Sequence, residues 1–308
     1  MSLAGNSSQS TPLVLDENRL FASDPVQRAI ARRLYAQVAQ LPIVSPHGHT
    51  DPSWFAGNAP FANAAELLLV PDHYVFRMLY SQGISLDALG IPHADGSRAE
   101  VDPREAWRLL AKNFHLFRGT PSSMWLNHVF HEVFGLRVKL DAGSADHYFD
   151  HITDALQTSA FLPRALFERF NIEVIATTES PLNALEHHAT IRDSGWSGRV
   201  ITAYRPDPVI DPEHEQFPSA LQYFGELTGE DVHTWEGYLR AHRQRRAFFA
   251  SMGATSTDHG HPDCTTADLP VDEARKLFGK IVRGQFTPAE AATFRGQMLT
   301  EMAAMSLD

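Results

Sequence analysis

Two histidines separated by one glycine are the residues of this sequence that most directly suggest chemistry. His47 and His49 follow the short apolar run Ile43-Val44. In an extended backbone alternate side chains point to the same face, so both imidazoles can be directed at one position. Neutral imidazole is a common ligand for zinc and similar divalent ions. The pair therefore predicts a metal site at the end of a buried strand. The alternative is a polar loop that contains two of the 16 histidines.

Arg205 and the pair Asp258-His259 also follow short apolar segments. A guanidinium can hold a carboxylate through a forked, charge-assisted contact, whereas an ion pair with Asp207 is the equally weighted alternative for Arg205. Asp258 and His259 are compatible with a metal ligand, a proton relay or a histidine oriented by a carboxylate. A helix-capping turn is the structural alternative for the same two residues.

The other histidines have weaker signals. His73 and Tyr74 lie in an apolar, helix-like run, where a core position is the default and a catalytic pair the alternative. The adjacent pair His187-His188 is interpreted as solvent-exposed helix surface. His259-Gly260-His261 repeats the spacing of the first pair, but its glycine and proline surroundings favour a loop.

Short apolar runs that end in polar residues predict the elements that position these side chains. The predicted strands are Ile43-Val44, 172–177, 199–204 and the short segment 254–256. Because helices separate them, the strands must pair in parallel. In a (β/α)8 barrel the chemistry collects at the C-terminal ends of the strands, and the histidines, Arg205 and Asp258 all follow such ends.

Helix signals frame these strands. Asp24-Pro25 predicts a helix start, and the apolar residues that recur every four positions to Val38 predict one buried stripe. Residues 51–159 predict a mostly helical insertion after the first strand. Thr287-Pro288-Ala289-Glu290 has the pattern of a capping box, and its helix is expected to continue to Asp308. Residues 1–11 are expected to be disordered, and residues 12–308 to form one barrel domain.

Composition excludes several functional classes. The 308 residues are 43% hydrophobic and 20% charged, as in an ordinary globular protein, and their net charge is −11. An acidic chain disfavours nucleic acid and anionic membrane as partners. The single cysteine excludes an intrachain disulfide. With no signal-peptide pattern and no apolar stretch of about 18 residues, the sequence predicts a cytoplasmic protein.

Several of these stretches together resemble uronate isomerase (glucuronate isomerase), a family of the amidohydrolase superfamily. They occur in family order and cover residues 42–260. The matching stretches are Pro46-His47-Gly48-His49, Asp72-His73-Tyr74 with Arg77, Gly119-Thr120-Pro121 with Trp125, Thr177-Thr178-Glu179-Ser180-Pro181 with Leu185-Glu186-His187-His188, Tyr204-Arg205-Pro206-Asp207 and Thr257-Asp258-His259-Gly260.

The resemblance implies a distorted (β/α)8 TIM-like barrel with a large helical insertion after strand 1. Its reaction would interconvert D-glucuronate with D-fructuronate, and D-galacturonate with D-tagaturonate, by proton transfer between C2 and C1 through an enediol. By analogy, His47 and His49 would bind a divalent metal, with zinc expected, and His73, Tyr74 and Arg205 would line the hexuronate site. His73, Tyr74, Asp258 and His259 are the expected catalytic residues. A homo-oligomer is one option for the assembly.

The sequence departs from the family pattern in two respects. The aspartate ligand at the end of the eighth strand has no candidate, and neither does the later histidine of the family's His-x-Gly-x-x-Arg-Asn motif. We therefore expect the 308 residues to be the N-terminal part of a barrel whose last strands are missing. A metal-dependent hydrolase of the same superfamily and a non-catalytic uronate-binding protein are the alternative functions.

Overall fold

The computed structural model describes residues 11–307. Within that range the strands are β1 (Ile43–Gly48), β2 (Ile172–Glu179) and β3 (Arg199–Tyr204). In chain order the α-helices are α1 (Pro25–Val38), α2 (Pro52–Gly57), α3 (Ala64–Leu68), α4 (His73–Ser81), α5 (Pro103–Asn113), α6 (Pro121–His128), α7 (Ala145–Leu156), α8 (Pro163–Arg169), α9 (Glu186–Asp193), α10 (Asp207–Ile210), α11 (Phe217–Thr228), α12 (Trp235–Ser251), α13 (Val271–Ile281) and α14 (Pro288–Ala304). Shorter helical turns are Asp87–Leu89, Phe114–Phe117, Val129–Val133 and Ser159–Phe161.

The three strands form one parallel sheet in the order β1-β2-β3. This arrangement confirms the predicted α/β class and the parallel pairing. The predicted strand over 254–256 is wrong, because this segment reaches the sheet only at a single bridge between Thr257 and Tyr204. Two backbone hydrogen bonds of 3.0 Å flank that bridge: Tyr204 N to Ser256 O, and Asp258 N to Tyr204 O.

Helix α9 connects β2 to β3, and it corrects the interpretation of the adjacent histidines. His188 is buried, and its Nε2 lies 2.9 Å from the hydroxyl of Thr177 on β2. Adjacent helical positions face different directions. The His188 imidazole therefore faces the sheet, whereas the His187 side chain is only half-buried. The helix begins at Glu186, directly after Leu185, whose backbone is left-handed with φ 58°.

The described chain divides into two compact units, the first comprising residues 11–41 and 59–166. Apart from an isolated bridge between Pro12 and Val138, its regular elements are helical. Helices α5 and α7 pack on each other, and the buried Trp107 indole donates to Ala145 O at 3.1 Å. The predicted disorder of residues 1–11 lies outside the described residues except for Thr11, whose carbonyl accepts from Lys139 N at 2.8 Å.

Helix α1 forms as predicted, but its predicted buried stripe is wrong. Asp24 caps the helix by accepting from Gln27 N at 2.8 Å. Val26, Ile30, Leu34 and Val38 are nevertheless 44–66% exposed, because no other element among residues 11–307 covers that face. The spacing of apolar residues thus identified the apolar face of α1, but it could not show whether another element covers that face.

The second unit comprises residues 42–58 and 167–307 and contains the sheet. Its main core lies under α11 to α14, where Tyr238 stacks on Phe278 with ring centroids 4.6 Å apart. The predicted capping box of α14 is confirmed, since Thr287 and Glu290 bond reciprocally. The helix ends at Ala304 instead of continuing to Asp308. No helix of the described chain is long and apolar enough to cross a membrane.

Candidate active site

Polar side chains of the second unit collect where the three strands end. The last pairs of the register are Gly48 with Thr177 and Glu179 with Tyr204. Arg205 follows directly, and its backbone N–H donates to Glu179 O at 2.9 Å. Because parallel strands end at the same edge of the sheet, residues far apart in sequence become neighbours there.

His47 and His49 converge as their spacing predicted. Their Nε2 atoms are 3.0 Å apart, and the rings meet edge to face with centroids 4.9 Å apart. Nitrogens on a tetrahedral zinc ion, at about 2.0–2.1 Å from the metal, are about 3.3 Å from each other. Only small ring movements would therefore let both Nε2 atoms ligate one ion, and the donor set fits a divalent metal.

Asp258 lies behind this pair. Its Oδ2 is 3.0 Å from Nδ1 of His47 and 3.4 Å from Nη1 of Arg205. A histidine that binds a metal through Nε2 commonly donates its other ring N–H to a carboxylate, which fixes its tautomer and orientation. Asp258 is placed in this way next to Nδ1 of His47. Among a metal ligand, a proton relay and a carboxylate that orients a histidine, the geometry therefore favours the last role for Asp258.

Arg205 forms an ion pair with Asp207. The sequence analysis gives this pair as the alternative to a contact with a substrate carboxylate. Its Nε donates to Asp207 Oδ2 at 2.7 Å, and its side chain is 30% exposed. Asp258 provides the second, longer contact. Two carboxylates thus share one guanidinium, and a substrate carboxylate would have to compete with them or replace one.

The second His-Gly-His triplet contains one expected site residue, His259, and one that the sequence analysis does not predict, His261. His259 and His261 lie in a loop as predicted, but both are half-buried. The backbone N–H of Gly260 between them donates to both carboxylate oxygens of Asp207 at 3.0 Å. The repeated spacing was the available signal, and it was discounted because of the surrounding glycine and proline residues.

Burial shifts the pKa values of ionisable groups near these strand ends. The pKa of His259 is lowered to about 4, chiefly because desolvation penalises the imidazolium, so the ring is neutral at pH 7. Desolvation likewise raises the pKa of Glu179, the last residue of β2. Sequence reasoning did not select Glu179 individually, although the strand it ends is apolar or hydroxylic from Val174 to Thr178.

His73 and Tyr74 belong to the first unit, at the start of α4. The default expectation of a core position is wrong, because both side chains are exposed and the helix buries Val75 and Leu79 instead. Asp72 caps the helix by accepting from the backbone N–H groups of Tyr74 and Val75. The exposed rings lie against each other with centroids 4.2 Å apart.

Comparison with known proteins identifies relatives of the whole described chain. A family model described as glucuronate isomerase matches residues 19–307. A protein of Xanthomonas campestris pv. campestris (strain B100) named uronate isomerase is 78% identical over 298 residues, which are 97% of this chain and 63% of that protein. A protein of Phenylobacterium zucineum (strain HLK1) with the same name is 65% identical over 96% of this chain and 62% of its own length.

Two solved structures are also similar. The crystal structure of glucuronate isomerase from Caulobacter crescentus matches with a TM-score of 0.92 at 62% identity, covering 96% of this chain and 62% of that one. The uronate isomerase from Thermotoga maritima gives a TM-score of 0.82 at 26% identity, over 95% of this chain and 62% of its own. The chain thus spans somewhat less than two thirds of the relatives' length. By the family match and these identities, it belongs to the glucuronate isomerase family.

Proposed function

We propose that this protein is an aldose–ketose isomerase that interconverts D-glucuronate with D-fructuronate and D-galacturonate with D-tagaturonate. The observation that carries the proposal is the 78% identity to a uronate isomerase over 97% of this chain. The cluster at the strand ends supports it, because it combines imidazoles, carboxylates and a guanidinium in one place. Proton transfer between C2 and C1 needs a base and a cationic group that stabilises the developing oxyanion.

We propose His47 and His49 as ligands of a divalent metal, with zinc as the expected ion. Their convergent Nε2 atoms and the Asp258 contact to Nδ1 of His47 support this assignment. When bound, such an ion polarises an oxygen of the substrate as a Lewis acid. Asp258 then acts as a positioning residue, since it holds the His47 ring and is also linked to Arg205.

The remaining residues of the site have roles that follow from their charge and burial. We propose that Arg205 receives the substrate carboxylate, since it is the cation within this cluster and is partly exposed. His259 is included as a catalytic-site residue, because its neutral ring can accept a proton or bind a metal. Glu179 joins it as a candidate base, since a raised carboxyl pKa brings a general base closer to neutral pH.

On the family resemblance alone we also propose His73 and Tyr74 as substrate-contacting residues; both are exposed at the start of α4. We further propose that the parallel sheet belongs to a distorted (β/α)8 barrel, with residues 51–159 inserted after β1. The TM-score of 0.92 to the Caulobacter crescentus enzyme and the helical crossover between β2 and β3 support that architecture. Cytoplasmic location and homo-oligomeric assembly stay predictions.

Conversion of D-glucuronate to the ketose, followed by nuclear magnetic resonance, tests the function. We expect turnover by the parent protein and a loss of at least about 100-fold in kcat/KM for His47→Ala and for Arg205→Ala. His73→Ala in the same assay tests the proposed substrate contact of His73, which belongs to the first unit. His233→Ala is the matched control, because His233 is exposed in the loop before α12. The Xanthomonas campestris relative serves as the positive control for the assay.

Three other results would each overturn the proposed function or the proposed site. Glucuronate binding without turnover, under conditions where the relative is active, would indicate a non-catalytic uronate-binding protein. Absence of both binding and turnover, with a folded protein, would remove the uronate assignment and leave the metal-dependent hydrolase. Unchanged turnover in both His47→Ala and Arg205→Ala would place the active site elsewhere.

A further inference from the structure

Three metal-binding side chains converge next to Arg205, separate from the His47–His49 pair. Asp207, His259 and His261 each offer one ligand atom, and these atoms all lie within 4.8 Å of one another. Ligand atoms on one tetrahedral zinc ion, at about 2.1 Å from the metal, are about 3.4 Å apart. Side-chain movements of less than about 1 Å would therefore bring the three donors onto one ion.

Three of the four ring nitrogens of this cluster are buried without partners in the part of the chain that the structure describes. Nδ1 of His259 and both ring nitrogens of His261 are buried, and none has a hydrogen bond to any residue of the described chain. Buried polar atoms are normally satisfied, so several unsatisfied nitrogens in one place indicate a missing ligand, water or ion. The carboxylate, by contrast, is held in place by Arg205 and by the N–H of Gly260.

The local charge also favours a cation. Asp207 and Asp258 share the single guanidinium of Arg205, so this part of the site has more negative than positive charge while its histidines are neutral. Close by, Asp211 and Glu213 share Arg295 in the same way. A divalent ion between the imidazoles would offset this excess and would make the pocket more suitable for an anionic sugar.

We propose that Asp207, His259 and His261 form a second divalent-cation site of the zinc class, distinct from the His47–His49 pair. Two imidazoles and one carboxylate are a ligand set that zinc favours when its fourth position is left open. Arg205 lies between the two sites, since it contacts Asp207 of one and Asp258 behind the other. The residues that sequence analysis treated as a loop thereby become ligands.

The protonation state of the imidazoles agrees with this assignment. Desolvation lowers the pKa of His259 to about 4 and also lowers the pKa of His261. Metal ligands must be deprotonated, and a pre-existing neutral imidazole avoids the cost of releasing a proton on binding. With His259 occupied as a ligand, Glu179 becomes the preferred candidate for the base.

Zinc stoichiometry tests the second site without depending on isomerase activity. The protein is stripped with a chelator, dialysed against buffered free Zn²⁺, and its bound metal is measured by plasma mass spectrometry. We expect two zinc ions per chain in the parent and one in His261→Ala, in Asp207→Asn and in the double variant His47→Ala/His49→Ala. His233→Ala, which changes an exposed histidine of the same unit, should retain two zinc ions.

Reconstitution with Co²⁺, read from the visible absorption of tetrahedral cobalt, measures the affinity of each site. We expect the second binding step to be at least about 100-fold weaker in His261→Ala than in the parent.

Circular dichroism of each stripped variant distinguishes a lost ligand from a lost fold, and Asp207→Asn provides a second variant of nearly unchanged shape. The proposal is overturned if folded His261→Ala and Asp207→Asn keep the parental zinc content. It is equally overturned if the parent binds a single ion that disappears in His47→Ala/His49→Ala alone. Two zinc ions in a protein that does not isomerise glucuronate would uphold the site while removing the proposed function.

Discussion

The chain contains the triplet His-Gly-His twice, in two different environments. In the first, His47 and His49 contact each other through Nε2, and the His47 side chain is 47% exposed with Asp258 behind it. In the second, His259 and His261 have buried ring nitrogens without partners, and the intervening Gly260 holds Asp207. The same spacing thus provides an accessible pair in one place and a desolvated cluster in the other.

The difference shows what a short motif can specify. Spacing determines which side chains can point to the same place, because that depends on local backbone geometry. The number of further groups that join them, and how much water remains, depends on segments from elsewhere in the sequence. Each triplet has its own carboxylate, Asp258 for the first and Asp207 for the second, and Arg205 contacts both.

His242 is a completely buried histidine and extends the comparison of histidine environments. Its burial gives the largest effect that we expect on stability. Its Nδ1 lies 2.8 Å from the Tyr204 hydroxyl, and burial lowers its pKa from 6.5 to about 3, with smaller contributions from Arg246 and His259. Below about pH 6.5 the unfolded chain binds a proton that the folded chain excludes. Stability is therefore complete above this pH and declines by about 1.4 kcal/mol per pH unit as the pH falls toward 3.

Denaturant unfolding between pH 7 and pH 4 measures this decline. Other groups also titrate in this range, so the test is the difference from His242→Gln, whose neutral amide can still hydrogen-bond with the Tyr204 hydroxyl. We expect the slope of unfolding free energy against pH to be smaller in the variant by about 1 kcal/mol per unit between pH 6 and pH 4. Equal slopes would mean that His242 is protonated in the folded protein and that burial does not control it.

Asp258→Asn tests whether each triplet depends on its own carboxylate. The change keeps the shape of the side chain but removes the charge that orients His47. Loss of such an orienting carboxylate typically weakens metal binding about 10–100-fold. We expect this loss for the His47–His49 pair, measured by Co²⁺ titration in a His261→Ala background that removes the other cluster.

Asp193→Asn is the control, because Asp193 is an exposed carboxylate at the end of α9 that pairs with its neighbour Arg192. In the chain that keeps His261, Asp258→Asn should leave the binding step assigned to the second triplet within about 3-fold of the parent. An equal loss at both triplets would contradict the comparison and indicate that the two carboxylates act as one unit through Arg205.

Sequence reasoning predicted features that depend on neighbouring residues. The start of α1 at Asp24-Pro25, the capping box of α14 and the convergence of His47 with His49 all follow from local backbone rules, and the structure has each of them. The parallel sheet was predicted because helices separate its strands.

The features that were missed depend on distant segments. The apolar face of α1 was identified correctly, but sequence periodicity cannot show that no described element covers it. Burial of His188 required knowing that α9 lies on Thr177 of the sheet. Asp207 and His261 were missed as site residues because their meeting depends on the bridge that brings the segment after Thr257 alongside Tyr204.

The two central glycines give the smallest effect and the most direct comparison of the triplets. A Cβ at Gly260 would lie 2.6 Å from both Asp207 Oδ2 and Arg205 Nη2, so alanine must displace a carboxylate and a guanidinium that are paired with each other. A Cβ at Gly48 would meet nothing closer than Ala176 O at 3.5 Å, an ordinary contact. We expect Gly260→Ala to lower the free energy of unfolding by about 1–3 kcal/mol, and Gly48→Ala to change it by less than about 0.5 kcal/mol.

Urea unfolding of the two variants at pH 7 measures this difference, and each glycine is the matched control for the other. Both lie between the same two residue types, so a difference reflects only their surroundings. If Gly260→Ala loses stability while Gly48→Ala does not, the second triplet is a close-packed cluster that uses glycine for the approach of Asp207. Equal effects would show that Asp207 and Arg205 move aside at little cost, and a cluster that yields so easily could not hold His259 and His261 in place for a metal ion.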